Sequence, residues 1–132
     1  MVMNILVCYD ETEASQAALK LAVQHAKALN ATAFVITSMI GGTKDNIDDN
    51  KRADSGLKYA QSVLEKNGIS CNTHLLVRGL TSGEDILQFA NENDINEIII
   101  GIKKTSKVGK LVFGSTAQHV ILESNCPVVT VK

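Results

Sequence analysis

Apolar positions along this chain fall into two patterns: short continuous runs, and longer stretches with an apolar residue at every third or fourth position. The runs are Asn4–Tyr9, Thr32–Met39, Ser70–Val77, Glu97–Gly101 and Val128–Val131. Runs of this length, rich in Val, Ile and Leu, read as strands buried on both faces. Between them, Ala14–Leu29 puts Ala18, Leu21, Ala22, Ala26 and Leu29 on one helical stripe, with His25 beside it. Thr12 stands at the N-cap position of that helix. Lys51–Asn67 places Leu57, Ala60, Val63 and Leu64 on one side and Gly68 at the C′ position that stops a helix. Arg78–Gly83 reads as a turn with a Ser or Thr cap, ahead of a short helix over Glu84–Asn93 that carries Ile86, Leu87, Phe89 and Ala90. Ser115–Ser124 is a fourth helix. The polar, glycine-bearing stretch Ile40–Asn50 reads as a solvated loop, with a lid over a site as the second reading.

The resulting order, β-α-β-α-β-α-β-α-β, predicts an α/β fold in one domain spanning residues 1–132. It is a single open five-stranded parallel sheet, strand order 3-2-1-4-5, with helices on both faces in a Rossmann-like arrangement. In such sheets ligands bind beyond the carboxyl ends of the strands where the strand order reverses. Here the reversal lies between strands one and four, whose carboxyl ends carry Asp10 and Gly101.

Composition narrows the function. The chain is 45% apolar, but its apolar runs are too short to cross a bilayer, and Met1-Val2-Met3 leads straight into a strand. The expectation is a cytoplasmic protein with no membrane insertion. A net charge of −1 argues against a nucleic-acid partner. Cys8, Cys71 and Cys126 are odd in number and scattered, without metal-ligand spacing, and read as buried thiols; no metal site is expected. His25, His74 and His119 are equally isolated. No base is paired with a nucleophile, so the chain reads as no enzyme, at most a slow ATPase.

The one local concentration of charge lies between strand four and helix four. Lys103, Lys104, Lys107 and Lys110 fall between Gly101 and Gly114-Ser115-Thr116, where the helix opens. Backbone N–H groups at a helix start attract anions, and a glycine there lets a phosphate approach closely. The pattern suggests a phosphate cradle. It is not a dinucleotide fingerprint, because the turn after strand one contains no glycine. Nor is it a Walker A loop: Lys104–Leu111 has Gly109-Lys110 but lacks the first glycine and the final hydroxyl.

Gly101, two residues, position 104, nine residues and then Gly114-Ser115 resembles the G-x2-G-x9-G-[ST] signature of the universal stress protein family. Strand one ending in Asp10, the Thr37-Ser38-Met39 tail, the Glu97–Gly101 strand and the closing Asn125–Lys132 segment look like that family too. The resemblance implies its adenine nucleotide alpha hydrolase-like sheet and an ATP-binding regulatory protein of the stress response. By position, Cys8, Tyr9, Asp10, Met39 and Gly101 would surround adenine and ribose, while Gly114, Ser115 and Thr116 would meet the phosphates. Mg²⁺ would accompany the triphosphate, held by its oxygens and water. Asp10 is either a ribose or cation acceptor or a helix-start anion, and Met39 either touches the base or fills the core. One departure stands out. Lys104, beside Lys103, replaces the second glycine, and either obstructs the phosphate path or binds the phosphate with a charge-assisted contact of about 1.5–3 kcal/mol. The alternative is a dimeric interaction module of the same family that binds no nucleotide. For either reading the resemblance implies a homodimer through strand five (Val128, Val129, Thr130, Val131), an exposed apolar edge suited to pairing, and an unknown protein partner.

Overall fold

The computed structural model describes residues 2–39, 47–102 and 114–132. Their elements run β1 (Asn4–Cys8), α1 (Glu13–Leu29), β2 (Thr32–Met39), α2 (Ile47–Lys66), β3 (Cys71–Val77), α3 (Ser82–Glu92), β4 (Glu97–Gly101), α4 (Ser115–Glu123) and β5 (Val128–Val131). The five strands form one parallel sheet in the order β3-β2-β1-β4-β5, as the sequence predicts. Register is set with Leu6 between Phe34 of β2 and Ile98 of β4.

Alternation along each strand separates two cores. Ile5, Val7, Val35 and Ile99 point toward α1 and α2, whereas Leu6, Ile36 and Ile98 point toward α3 and α4. Both faces are therefore buried, which is why the strands read as continuous apolar runs. Helix α1 meets the sheet through Ala14, Ala18, Ala22 and Ala26, small residues four apart that let its backbone come close. Leu19 is the large residue it buries. Leu29, expected on the buried stripe, is 45% exposed at the last turn. Its position continues the apolar count but not the face, because the alanine row advances by fours and ends at Ala26.

The helix stops are those the sequence signals. Gly68 adopts φ +72°, its N–H bonds to Glu65 O, and Ile69 N–H reaches back to Leu64 O, which completes a Schellman motif. Helix α2 begins at Ile47, so the final part of the stretch expected to be loop is helical; Asp48 and Asp49 in its first turn complement the helix dipole. The expected lid residues before Ile47 lie outside the described residues. The three cysteines are unbridged and, as whole residues, half-buried, although the Cys8 thiol itself is enclosed. No helix among the described residues is long and apolar enough to cross a membrane.

Candidate functional site

Because every strand is parallel, every strand ends at the same edge and the helices begin there. A cleft of about 360 Å³ opens at this edge over β1, β2 and β4, bounded by the first turns of α1, α3 and α4. Strand β1 and the turn after it contribute Cys8, Tyr9 and Asp10, and β4 contributes Gly101. The opening turn of α4 contributes Gly114, Ser115 and Thr116. Seven of the ten residues named from sequence thus line one cavity. Met39 does not: it ends β2 beside Val77 of β3, outside the lining. Lys103 and Lys104 lie outside the described residues.

The loop carrying Asp10 is held by a closed set of hydrogen bonds. Asp10 Oδ1 accepts from the Thr12 N–H at 3.1 Å and from the Thr12 hydroxyl at 2.6 Å. With its hydrogen turned to Asp10, Thr12 Oγ1 caps α1 by accepting from the Ser15 N–H at 3.2 Å. Buried Ser15 donates its hydroxyl to Thr12 O and accepts from the Asp10 N–H at 3.3 Å. Thr12 is therefore the cap, as expected, and Asp10 supports it while remaining exposed at the cleft. Glu11 sits between them at φ +67°, a left-handed conformation costly for a residue with a side chain.

Gly101 has a structural task that its place in the pattern does not reveal. A Cβ there would lie 2.4 Å from both the carbonyl carbon and oxygen of Ala14 and 2.8 Å from the Ala14 Cβ. The first turn of α1 rests directly on this glycine, and so Asp10 and Ser15 are brought to the end of β4. Gly114 is different: a Cβ there meets no described atom within 4 Å, and its φ of −62° is open to any residue. It is the N-cap of α4, yet offers no side-chain hydrogen bond to the helix, whereas α1 and α3 are capped by Thr12 and Thr81. The first turn of α4 carries no acidic residue either. Its N–H end therefore faces the cleft without an anionic side chain from its own first turn.

Burial, and secondarily the Asp10 carboxylate, pushes the Cys8 thiol up to about 12, so it stays a neutral thiol at physiological pH. Burial also raises the Tyr9 phenol, with smaller contributions from Tyr59, Glu11 and Asp10; its ring lies 6.5 Å from that of Tyr59. Among the described residues no group of three or more His, Cys, Asp or Glu could hold a metal ion.

The sequence pattern of the Universal stress protein family matches residues 1–132 in full. The chain belongs to the universal stress protein family. A universal stress protein from Mycolicibacterium smegmatis is 30% identical over 129 residues, covering 97% of this chain and 96% of that protein. A solved universal stress protein from Archaeoglobus fulgidus superposes with a TM-score of 0.91 at 38% identity, each chain covered completely. A structure of the Archaeoglobus fulgidus universal stress protein in complex with dAMP superposes at 0.84 with 36% identity, again over the whole of both chains.

The other lining residues have no site role in the sequence pattern, although Thr37 and Ser38 belong to the Thr37-Ser38-Met39 tail that resembles the family. On the α3/α4 side the lining includes Ile36 and Ser38 of β2, Ser82 and Ile86 of α3, and Ile100 and Ile102 around the end of β4. Strand alternation was the available signal: it puts Ser38 on the same face as Ile36, where a polar residue interrupts an apolar row.

Proposed function

We propose that this universal stress protein binds an adenine nucleotide in the cleft and acts as a regulatory homodimer, with occupancy of the cleft altering a surface read by a protein partner. The observation that carries the reading is the convergence, in one cleft, of Asp10 with the N-terminus of α4 at Gly114-Ser115-Thr116, whose own first turn holds no acidic residue and no side-chain cap. Phosphates are matched by that helix start, a ribose by the exposed Asp10 carboxylate, and a base by the apolar wall of Ile36 and Ile86. The dAMP complex of the 36%-identical relative supports the same class of ligand. ATP with Mg²⁺ is the ligand we favour, the ion being held by triphosphate oxygens and water, since the described residues offer no metal cluster of their own. The reading assigns no catalytic residue.

Heat-denaturing the freshly purified protein, identifying released nucleotide by chromatography and titrating the stripped protein with Mg-ATP by calorimetry tests this. Stoichiometric binding that is lost in Gly114→Asp, which places a carboxylate at the helix start, is the expected result. Absence of both released nucleotide and binding refutes the nucleotide reading. The homodimer is proposed through β5, whose Val128–Val131 edge is only partly buried; Val129→Pro should yield a monomer by light scattering, and a persisting dimer would exclude this edge.

A further inference from the structure

Behind the cleft lies an ionic cluster that the nucleotide reading does not use. Asp85 of α3 is fully buried. Its Oδ1 accepts from Arg78 Nε at 2.6 Å and forms the ion pair with Nη2 at 2.5 Å, Nη2 donates to Asp85 O at 3.2 Å, and Arg78 Nη1 reaches Glu92 at 3.1 Å. The other carboxylate oxygen, Oδ2, accepts the hydroxyl of Ser38 at 2.8 Å. Ser38 lines the cleft; Asp85 does not.

A carboxylate paired with a guanidinium can only accept hydrogen bonds. It therefore fixes the rotor of Ser38, with the single hydroxyl hydrogen aimed into the protein and the oxygen lone pairs left for the cleft. A free serine adapts, donating or accepting as its ligand requires; this one is committed to accepting. We infer that Ser38, oriented by the buried Asp85–Arg78 pair, is a specificity-determining residue that selects a purine with a 6-amino group over one with a 6-oxo group. The inference rests on the nucleotide reading above and deepens it.

The layout supports that placement. Gly114–Thr116 follow β4, Asp10 follows β1, and Ser38 is near the end of β2, so phosphate, ribose and base partners occur in the order of adjacent strands. Ser38 lies two strands away from β4, across β1, and lines the same cleft as Gly114, Ser115 and Thr116. Ile36 and Ile86, both almost completely buried, line the cleft with it and provide the apolar setting in which a mismatched polar pair is expensive. A 6-amino group would donate to Ser38 Oγ. A 6-oxo group would set two acceptors face to face.

The test is calorimetric titration of ATP and ITP into the stripped wild-type chain, Ser38→Ala and Ser38→Thr. Wild type should prefer ATP over ITP by about tenfold to a hundredfold, the range expected for leaving a buried polar group unpaired. Ser38→Ala should lower that ratio at least threefold, while Ser38→Thr, which keeps a hydroxyl for Asp85, should retain it. Thermal unfolding of each variant confirms that the sheet is intact. Equal affinity of wild type for both nucleotides, or a ratio that changes less than threefold in Ser38→Ala, overturns the inference and leaves nucleotide binding standing. Failure of both nucleotides to bind wild type overturns both.

Discussion

Replacing Gly101 by alanine adds one methyl group at the point where α1 rests on the end of β4. The added carbon would lie 2.4 Å from the carbonyl carbon and oxygen of Ala14, about 1 Å inside ordinary van der Waals contact. Two of the three nearest atoms are backbone, so no rotamer change relieves them; the first turn of α1 must lift from the sheet. Overpacking of this kind costs about 1–3 kcal/mol, and the rigidity of the obstacle places this case near about 2–3 kcal/mol. For 132 residues the unfolding entropy near the midpoint is about 0.28 kcal/mol/K, so Tm should fall by about 7–11 °C. Thermal unfolding followed by far-UV circular dichroism, with urea unfolding as a second measure, reads this directly. Nucleotide affinity should fall with it, because Ser15 and the loop holding Asp10 ride on the displaced turn. Adding Ala14→Gly should not restore stability, since it removes the Cβ and leaves the backbone carbonyl in place. A Tm within about 2 °C of wild type, or rescue by Ala14→Gly, would refute the argument.

Other outcomes follow from the same structure. Gly114→Ser should leave Tm within about 2 °C of wild type, because its Cβ meets no described atom, its φ is ordinary and serine is a good N-cap, while weakening nucleotide binding measured by calorimetry. Arg78→Ala strands a fully buried Asp85 carboxylate and should cost about 3–5 kcal/mol in urea unfolding, whereas Glu92→Ala, at the exposed end of the same cluster, should cost less than about 1 kcal/mol. Cys8 ionises near 12 in the folded chain against 9.0 for the ordinary thiol, so above pH 9 the unfolded chain releases a proton that the folded one keeps. That contribution is complete below pH 9 and is lost as pH rises toward 12, by up to about 1.4 kcal/mol per pH unit; urea midpoints between pH 9 and 10.5 should fall less steeply in Cys8→Ala. An equal slope in both proteins would contradict the burial of the thiol.

The architecture was legible because its signal is a repeated local one. Apolar runs four to eight residues long, separated by helical spacing, lead to β3-β2-β1-β4-β5 with little freedom, and Thr12, Thr81 and Gly68 mark helix ends by their own chemistry. The errors arose where a local pattern has no knowledge of direction. Leu29 continues the apolar count of α1 but emerges on its solvent side, and Leu19 takes the buried place. The Asp85 cluster was invisible for a related reason. Its partners Ser38, Arg78 and Glu92 come from β2, the β3–α3 turn and the far end of α3, and each alone reads as an ordinary polar residue. Seven of the sixteen residues that line the cleft could be named from the family pattern, but Met39, taken from position alone, falls beside the lining, which on β2 reaches only to Ser38.

The first and last glycines of the pattern look equivalent as letters, yet they answer different physical demands. Gly101 is required by the protein itself: without it α1 cannot seat on β4, and the Asp10–Thr12–Ser15 hydrogen bonds lose their position over the cleft. Gly114 is required by nothing among the described atoms, neither φ nor packing nor a side-chain cap. A glycine at a helix start forgoes only a few tenths of a kcal/mol against Ser, Thr or Asp, and under the nucleotide proposal its bare backbone is what lets a phosphate come close to that helix. The two demands separate experimentally, one in Tm and the other in affinity.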